Sequence, residues 1–252
     1  MRTDLGQATV RRYLISGASS GLGLSVALEL QQRGHDLAIL TRLGGALRTI
    51  EQLGACPLEI AQAEADFASL EGVTWATKTL AETAPFDGVI HCAGAEVVSP
   101  LRLTTDAQYR AAMMAADSAF AILRAAASKG VMADGGSIVL MSSVAAHRGT
   151  AGMAAYSASK AAIEGMARSA AVELAARRIR VNCVAAGAFR SPMHDRITKR
   201  MLQAGQDAYA AAHPLGIGEV EAVRDAILHL LSDAARWTTG STVVVDGGFL
   251  VR

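Results

Sequence analysis

From Tyr13 to Val245 the chain alternates short runs of apolar, β-forming residues with longer stretches of helical periodicity. Residues 13–15, 37–40, 86–91, 137–141, 179–185 and 242–245 read as strands, with a weaker run at 57–60. Apolar runs of that length, bounded by Gly or Asp, suit strands buried on both faces of a parallel sheet. Between them, helices are predicted over residues 22–33, 45–53, 70–83, 106–128, 155–177 and 221–231. A strand that feeds a helix that feeds the next strand can close only as right-handed crossovers. The expected fold is therefore α/β: a Rossmann-type, doubly wound parallel sheet of about seven strands with helices on both faces. No repeat, low-complexity segment or linker divides residues 1–252, so one domain is the economical organisation. Residues 190–218 break the rhythm, with two Pro, three Gly and weak periodicity, and read as a mobile flap with partial helix.

Composition narrows the partners. The chain holds 24 Lys+Arg against 23 Asp+Glu, and no basic stripe offers a footing for nucleic acid or an anionic membrane. Residues 1–12 contain no apolar run of signal-peptide length, and later runs are too short to span a bilayer. Cys56, Cys92 and Cys183 stand apart from one another in apolar surroundings. Neither a disulfide framework nor a metal site is expected; reduced thiols in a cytoplasmic protein are.

The first strand runs into Ser16-Gly17-Ala18-Ser19-Ser20-Gly21-Leu22-Gly23, which opens the first helix. Gly17, Gly21 and Gly23 permit a tight turn and a close approach of pyrophosphate to the backbone. The helix start, with Ser19, Ser20 and Leu22, brings free N–H groups and a positive dipole end. A glycine cluster alone can be an ordinary turn; its place between a first strand and a first helix points to a dinucleotide. NAD-preferring sites put an acid at the end of the second strand to hold the ribose 2′-hydroxyl. Thr41 stands there instead, followed by Arg42, whose guanidinium can pair with a 2′-phosphate. NADP(H) is the favoured cofactor and NAD(H) the alternative; a solvated loop arginine is the plainer reading of Arg42.

Tyr156 and Lys160 stand at i and i+4, on one helix face. Lowering a phenol from about 10 to neutrality takes roughly 4 kcal/mol. One ammonium at about 4 Å in an effective dielectric of about 20 supplies that much. The pair is thus expected to depress the Tyr156 pKa and serve as a general acid–base. The chain has only four lysines, which makes this placement improbable by chance. Ser143 closes the 137–143 run, where a hydroxyl faces the crevice used for ligands in such sheets. Ser142 is its neighbour and competitor, turned the other way by the pleat.

Together these residues resemble the short-chain dehydrogenase/reductase family over essentially the whole chain. Further matches are Asp66 after the third strand, Cys92-Ala93-Gly94 after the fourth, Val181-Asn182 with Gly187, and Thr239-Gly240 with Val245-Asp246-Gly247-Gly248. The resemblance implies that Ser143, Tyr156 and Lys160 are catalytic. It also implies that Asp66 and Phe67 meet the adenine, that Lys160 holds the nicotinamide ribose, and that Gly187, Ala188 and Ser191 lie along the cofactor. Homotetramers are implied as well. Three departures stand out. The family's Asn-Asn-Ala-Gly is His91-Cys92-Ala93-Gly94, its catalytic-helix Asn falls on Ala115 or Ala116, and its Pro-Gly after the sixth strand is Ala186-Gly187.

The reading is a ketoreductase or alcohol dehydrogenase acting on a small-molecule carbonyl or alcohol. Ser143, His147, Met153, Phe189 and Met193 are placed around the substrate, and the apolar residues among them suggest a mid-sized, largely apolar one. Acyl-carrier thioesters stay open. Two alternatives stand beside it: an NAD-dependent hydroxysteroid or dihydrodiol dehydrogenase, and a cofactor-sensing binding protein that has lost turnover. The departures favour the last; intact Ser143, Tyr156 and Lys160 oppose it.

Overall fold

The computed structural model describes residues 10–45, 49, 51, 53–54, 60–199 and 201–252. Seven parallel strands form one sheet in the order β3-β2-β1-β4-β5-β6-β7. They are β1 Arg12–Ser16, β2 Asp36–Arg42, β3 Ala61–Ala65, β4 Phe86–His91, β5 Met132–Ser143, β6 Arg180–Ala186 and β7 Thr242–Val245. Alternating side chains feed two cores, as the period of two in a strand requires. Leu14, Leu40, Val89, Leu140 and Val181 point to one face and pack with α2 (Leu70–Ala81), α3 (Asp106–Ala126) and α4 (Ala154–Leu174). Ile15, Ile39, Ile90, Val139 and Val184 point to the other and meet α1 (Gly21–Gln32) and α7 (Val220–Leu231). Alanines at 112, 115, 116, 119 and 126 on α3 are all buried, so small side chains let this helix pack closely against the sheet and α4.

The expected alternation holds, with differences at the edges. The third strand is Ala61–Ala65, after the apolar run at 57–60, of which 57–59 lie outside the described residues. Its Ala-Gln-Ala-Glu-Ala sequence carries little hydrophobic signal because β3 is an edge strand with exposed Gln62 and Glu64. Pairing with β2, from Ala38 opposite Ala61 to Arg42 opposite Ala65, defines it. β5 begins at Met132 and reaches Ser137 through a register shift opposite Phe86 and Gly88. Of the helix expected over 45–53, several residues lie outside the described ones. The 190–218 segment holds two helices, α5 (Pro192–Thr198) and α6 (Gln203–Ala211). Its ends meet in a bridge between Phe189 and Gly218, where Arg190 N donates to Gly218 O at 2.9 Å.

Candidate active site

The strand order reverses between β1 and β4, and the carboxyl ends of the strands open there onto a cleft of about 1390 Å³. That exceeds a single-ligand pocket of about 300–1,000 Å³ and has room for a dinucleotide beside a substrate. Every residue assigned to the cofactor from the sequence lines this cleft, from Gly17 and Ser19 through Cys92 and Ala93 to Ala188 and Ser191. Ser143, Met153, Phe189 and Met193 line it too.

The end of the cleft at the β1–α1 turn, where the pyrophosphate was expected, is built from backbone. Gly17 has φ +79°, and a Cβ there would stand 2.6 Å from Ala93 N. A Cβ on Gly23 would stand 2.3 Å from Gly17 O. Gly17 is thus demanded by the contact of the β1–α1 turn with the loop after β4, and Gly23 by the closeness of the turn to itself. Ser20, at the N-cap of α1, makes no side-chain cap, which leaves the first amides of the helix facing the cleft. Thr41 lines the cleft with a buried Oγ1 that has no partner among the described residues, an unmet bond that a ribose hydroxyl fits. Arg42 is exposed beside it. Sequence reasoning missed Glu64, opposite Thr41 on β3, whose carboxylate accepts from Gly44 N at 2.9 Å. The misplaced third strand hid it. Asp66, expected at the adenine, lies exposed at the cleft, but the Phe67 ring is buried in the core, which leaves only its backbone for such a contact.

At the other end Tyr156 and Lys160 rise from α4 on one face, both buried. Lys160 Nζ lies 5.7 Å from the centre of the Tyr156 ring and donates to Met141 O at 2.9 Å. This corrects the expected depression of the Tyr156 pKa. Burial pushes the phenol up to about 12, the Glu96 charge adds to the rise, and a hydrogen bond with Ser143 offsets part of it. Burial likewise takes Lys160 down to about 8. The protein's own groups keep Tyr156 protonated, because desolvation outweighs an ammonium at that distance.

The two serines separate as the pleat requires. Ser143 Oγ accepts from Ala145 N at 3.2 Å and stays within reach of Tyr156. Ser142 Oγ is buried and donates to Glu164 Oε1 at 2.6 Å. His147 Nε2 donates to the same oxygen at 2.9 Å. His147, expected at the substrate mouth, is therefore held against α4 and does not line the cleft. The Ser142–Glu164–His147 cluster ties the end of β5 to α4 one turn beyond Lys160, which fixes Ser143 relative to Tyr156.

His91 replaces a lost amide with a bridge. Buried beneath the cleft, it places Nδ1 2.6 Å from Ser16 Oγ and Nε2 3.0 Å from Ala115 O. A carbonyl only accepts, so Nε2 carries the hydrogen and Nδ1 accepts from Ser16. Burial, reinforced by the Lys160 charge, lowers its pKa to about 4, so the ring is neutral. It links β1, β4 and α3 directly under Lys160. Asn182 does comparable work in β6, donating to Thr238 O at 2.8 Å and accepting from Ser241 N at 3.1 Å. This accounts for the Val181-Asn182 and Thr239-Gly240 pairs as structural. His213, unforeseen because nothing around it in sequence marks it, accepts from Ala188 N at 3.1 Å through Nε2. Its Nδ1 donates to Tyr209 O at 3.0 Å, so it pins the expected nicotinamide contact to α6.

A doubly wound sheet with a glycine-built turn and a Ser–Tyr–Lys group in one cleft defines a nicotinamide-dependent oxidoreductase of the short-chain type. Comparison with known proteins agrees. Residues 17–250 match the family model described as enoyl-(acyl carrier protein) reductase. The chain is 32% identical over 260 residues to an L-xylulose reductase of Mesocricetus auratus, covering 98% of this chain and 99% of that one. Among solved structures, a short-chain type dehydrogenase/reductase from Mycobacterium ulcerans superposes with a TM-score of 0.86 at 31% identity, covering 96% and 90% of the two chains. A metagenomic blue fluorescent protein in complex with NADPH gives 0.83 at 28% identity, covering 95% and 97%. The chain belongs to the short-chain dehydrogenase/reductase family and is an oxidoreductase acting on alcohol or ketone groups.

Proposed function

We propose that this chain is an NADP(H)-dependent ketoreductase, reversible as an alcohol dehydrogenase, for a mid-sized substrate with a largely apolar body. One observation carries the reading: Tyr156, Ser143 and Lys160 share a cleft with the glycine cradle and Arg42. A bound nicotinamide cofactor supplies or accepts the hydride. Tyr156, held protonated by burial, is poised to donate to a carbonyl oxygen, which suits the reductive direction. Ser143 orients that oxygen. Lys160 is placed to hold the ribose and to replenish the tyrosine proton. Met153, Met193 and Phe189 form the apolar wall. Glu64 is the observation favouring the NAD(H) alternative, since its carboxylate lies near any 2′-phosphate; its bond to Gly44 N and the exposed Arg42 favour NADP(H). The His91 bridge weighs against a turnover-less binding protein, because it restores the support that the missing amide removed.

The same reading includes a homotetramer and a cytoplasmic setting. Supporting assembly, Val172 on α4 and Val251 at the C-terminus are 78% and 90% exposed, and Phe120 on α3 is also open. Supporting a reducing compartment, Cys92 and Cys183 are free, and burial raises each thiol to about 12. Among the described residues no helix is long and apolar enough to cross a membrane. The test is consumption of NADPH and NADH with a panel of ketones, by wild type and Tyr156→Phe. Turnover that needs Tyr156 supports the proposal; absence of turnover with every ketone and both cofactors overturns it.

A further inference from the structure

Beyond Tyr156 the cleft runs toward α5 and α6, and its wall there is not uniformly apolar. Glu96 from the loop after β4, His194 on α5 and Tyr209 on α6 stand among Met153, Met193 and Phe249. His194 stacks on Tyr209 with ring centres 6.0 Å apart and planes 27° from parallel. Both of its ring nitrogens are buried, and neither has a hydrogen-bond partner among the described residues. The Asp195 carboxylate comes no closer than 3.8 Å to Nδ1, outside hydrogen-bond reach. Buried polar atoms are ordinarily satisfied, so an imidazole left this way beside a cleft marks a place for a ligand's polar group. Glu96 lines the same cleft, and its charge adds to the rise that burial gives the Tyr156 and Tyr209 hydroxyls.

We infer that the substrate carries a neutral hydroxyl group beyond its reacting carbonyl, received by the His194 imidazole and the Glu96 carboxylate. The chemistry of the two groups selects it. A neutral imidazole presents one donor and one acceptor, and a carboxylate presents acceptors only. A hydroxyl suits the pair, because it accepts from the imidazole N–H and donates its one hydrogen to the carboxylate. An ammonium only donates and leaves the imidazole N–H unmet. A carboxylate only accepts and meets the repulsion of Glu96. The preferred substrates are thus hydroxyketones, with an apolar body against the methionines and a polar end at α5. This rests on the carbonyl reductase reading and adds the substrate class.

The experiment measures NADPH consumption by the full chain with methyl ketones of several lengths, each ending in methyl, hydroxyl, carboxylate or ammonium. At the best-fitting length the hydroxyl-ended ketone is expected to exceed the methyl-ended one in kcat/KM by about tenfold or more, with the carboxylate slowest. In His194→Phe, which keeps the stack on Tyr209 and removes both nitrogens, the hydroxyl-to-methyl ratio should fall toward one. The ratio is formed within one variant, so a general loss of activity cancels. Glu96→Gln, an independent variant, should raise the carboxylate relative to the hydroxyl. A wild-type ratio near one at every length, an ammonium preference, or a ratio unchanged in His194→Phe overturns the inference. No consumption of any ketone with either cofactor overturns the carbonyl reductase reading instead.

Discussion

The Lys160 ammonium lies 5.7 Å from the centre of the Tyr156 ring and donates a hydrogen bond to the Met141 carbonyl, 2.9 Å away. At that distance it does not overcome the burial that holds the phenol near 12. On the proposed reading, the positive charge of an oxidised nicotinamide would bring the phenol down. In the cofactor-free protein Tyr156 should therefore titrate above the ordinary 10, and in complex with NADP+ the oxidative rate should rise with pH through an apparent pKa below it. An ultraviolet difference titration of wild type against Tyr156→Phe measures the first, and a pH–rate profile the second. Tyr156→Phe should lower turnover by at least about 10²-fold and leave NADPH affinity nearly unchanged. Retention of more than about a tenth of turnover would remove Tyr156 from its assigned role.

Lys160 exchanges stability for function. Its ordinary 10.5 falls to about 8 in the folded chain. A depressed pKa means that stability is full above 10.5 and is lost as pH falls through 8, where the ammonium must be buried. That shift corresponds to about 3 kcal/mol, less the bond to Met141 O that a replacement forfeits. Lys160→Met should thus be inactive yet more stable at pH 7 by about 1–3 kcal/mol, with the gain shrinking between pH 8 and 10.5. Denaturant melts at several pH values check it; a variant less stable than wild type at every pH would contradict the sign.

On the proposed reading, cofactor choice sets Arg42 against Glu64. Arg42→Ala should weaken NADPH more than NADH by about 1–3 kcal/mol, the worth of a charge-assisted contact. Glu64→Gln keeps a side-chain acceptor for Gly44 N and removes a negative charge, so it should raise the NADPH preference. Fluorescence titration of both reduced cofactors with each variant decides it; unchanged ratios in both would exclude this end of the cleft from discrimination.

His91→Leu strands the Ser16 hydroxyl, while the Ala115 carbonyl keeps the bond it accepts from Ser118 Oγ at 3.3 Å. One buried group left this way should cost about 1–3 kcal/mol in a denaturant melt. Wild type should also lose stability as pH falls from 6.5 toward 4, because a ring held neutral in the fold must take up a proton on unfolding. That part of the acid sensitivity should be absent from His91→Leu.

Light scattering at micromolar concentration should return a multiple of the 26.1 kDa chain, four-fold on the proposed assembly. Val172→Glu and Phe120→Glu, which put charges on exposed apolar faces of α4 and α3, should reduce it. A monomer mass for wild type would refute the assembly.

The sequence alone determined the doubly wound sheet, because alternating apolar runs and helical periods are local patterns that survive in a list of residues. It determined the cradle as well: Gly17 and Gly23 sit where any Cβ would strike Ala93 N or Gly17 O, and such a demand leaves a glycine in the text. It placed Ser143, Tyr156 and Lys160 on one wall by strand end and helix spacing. What only the tertiary structure decided are relations between distant segments. Glu64 reaches the Arg42 loop because β3, which begins just after the apolar run, pairs with β2 and sets Glu64 opposite Thr41. His147 belongs to Glu164 rather than to a substrate, and His91 to Ser16 and Ala115, because hydrogen-bond partners are chosen in space. The Tyr156 pKa followed the same rule. The i, i+4 spacing fixed which charge stands nearby, but burial, a property of the whole packed fold, set the direction of the shift.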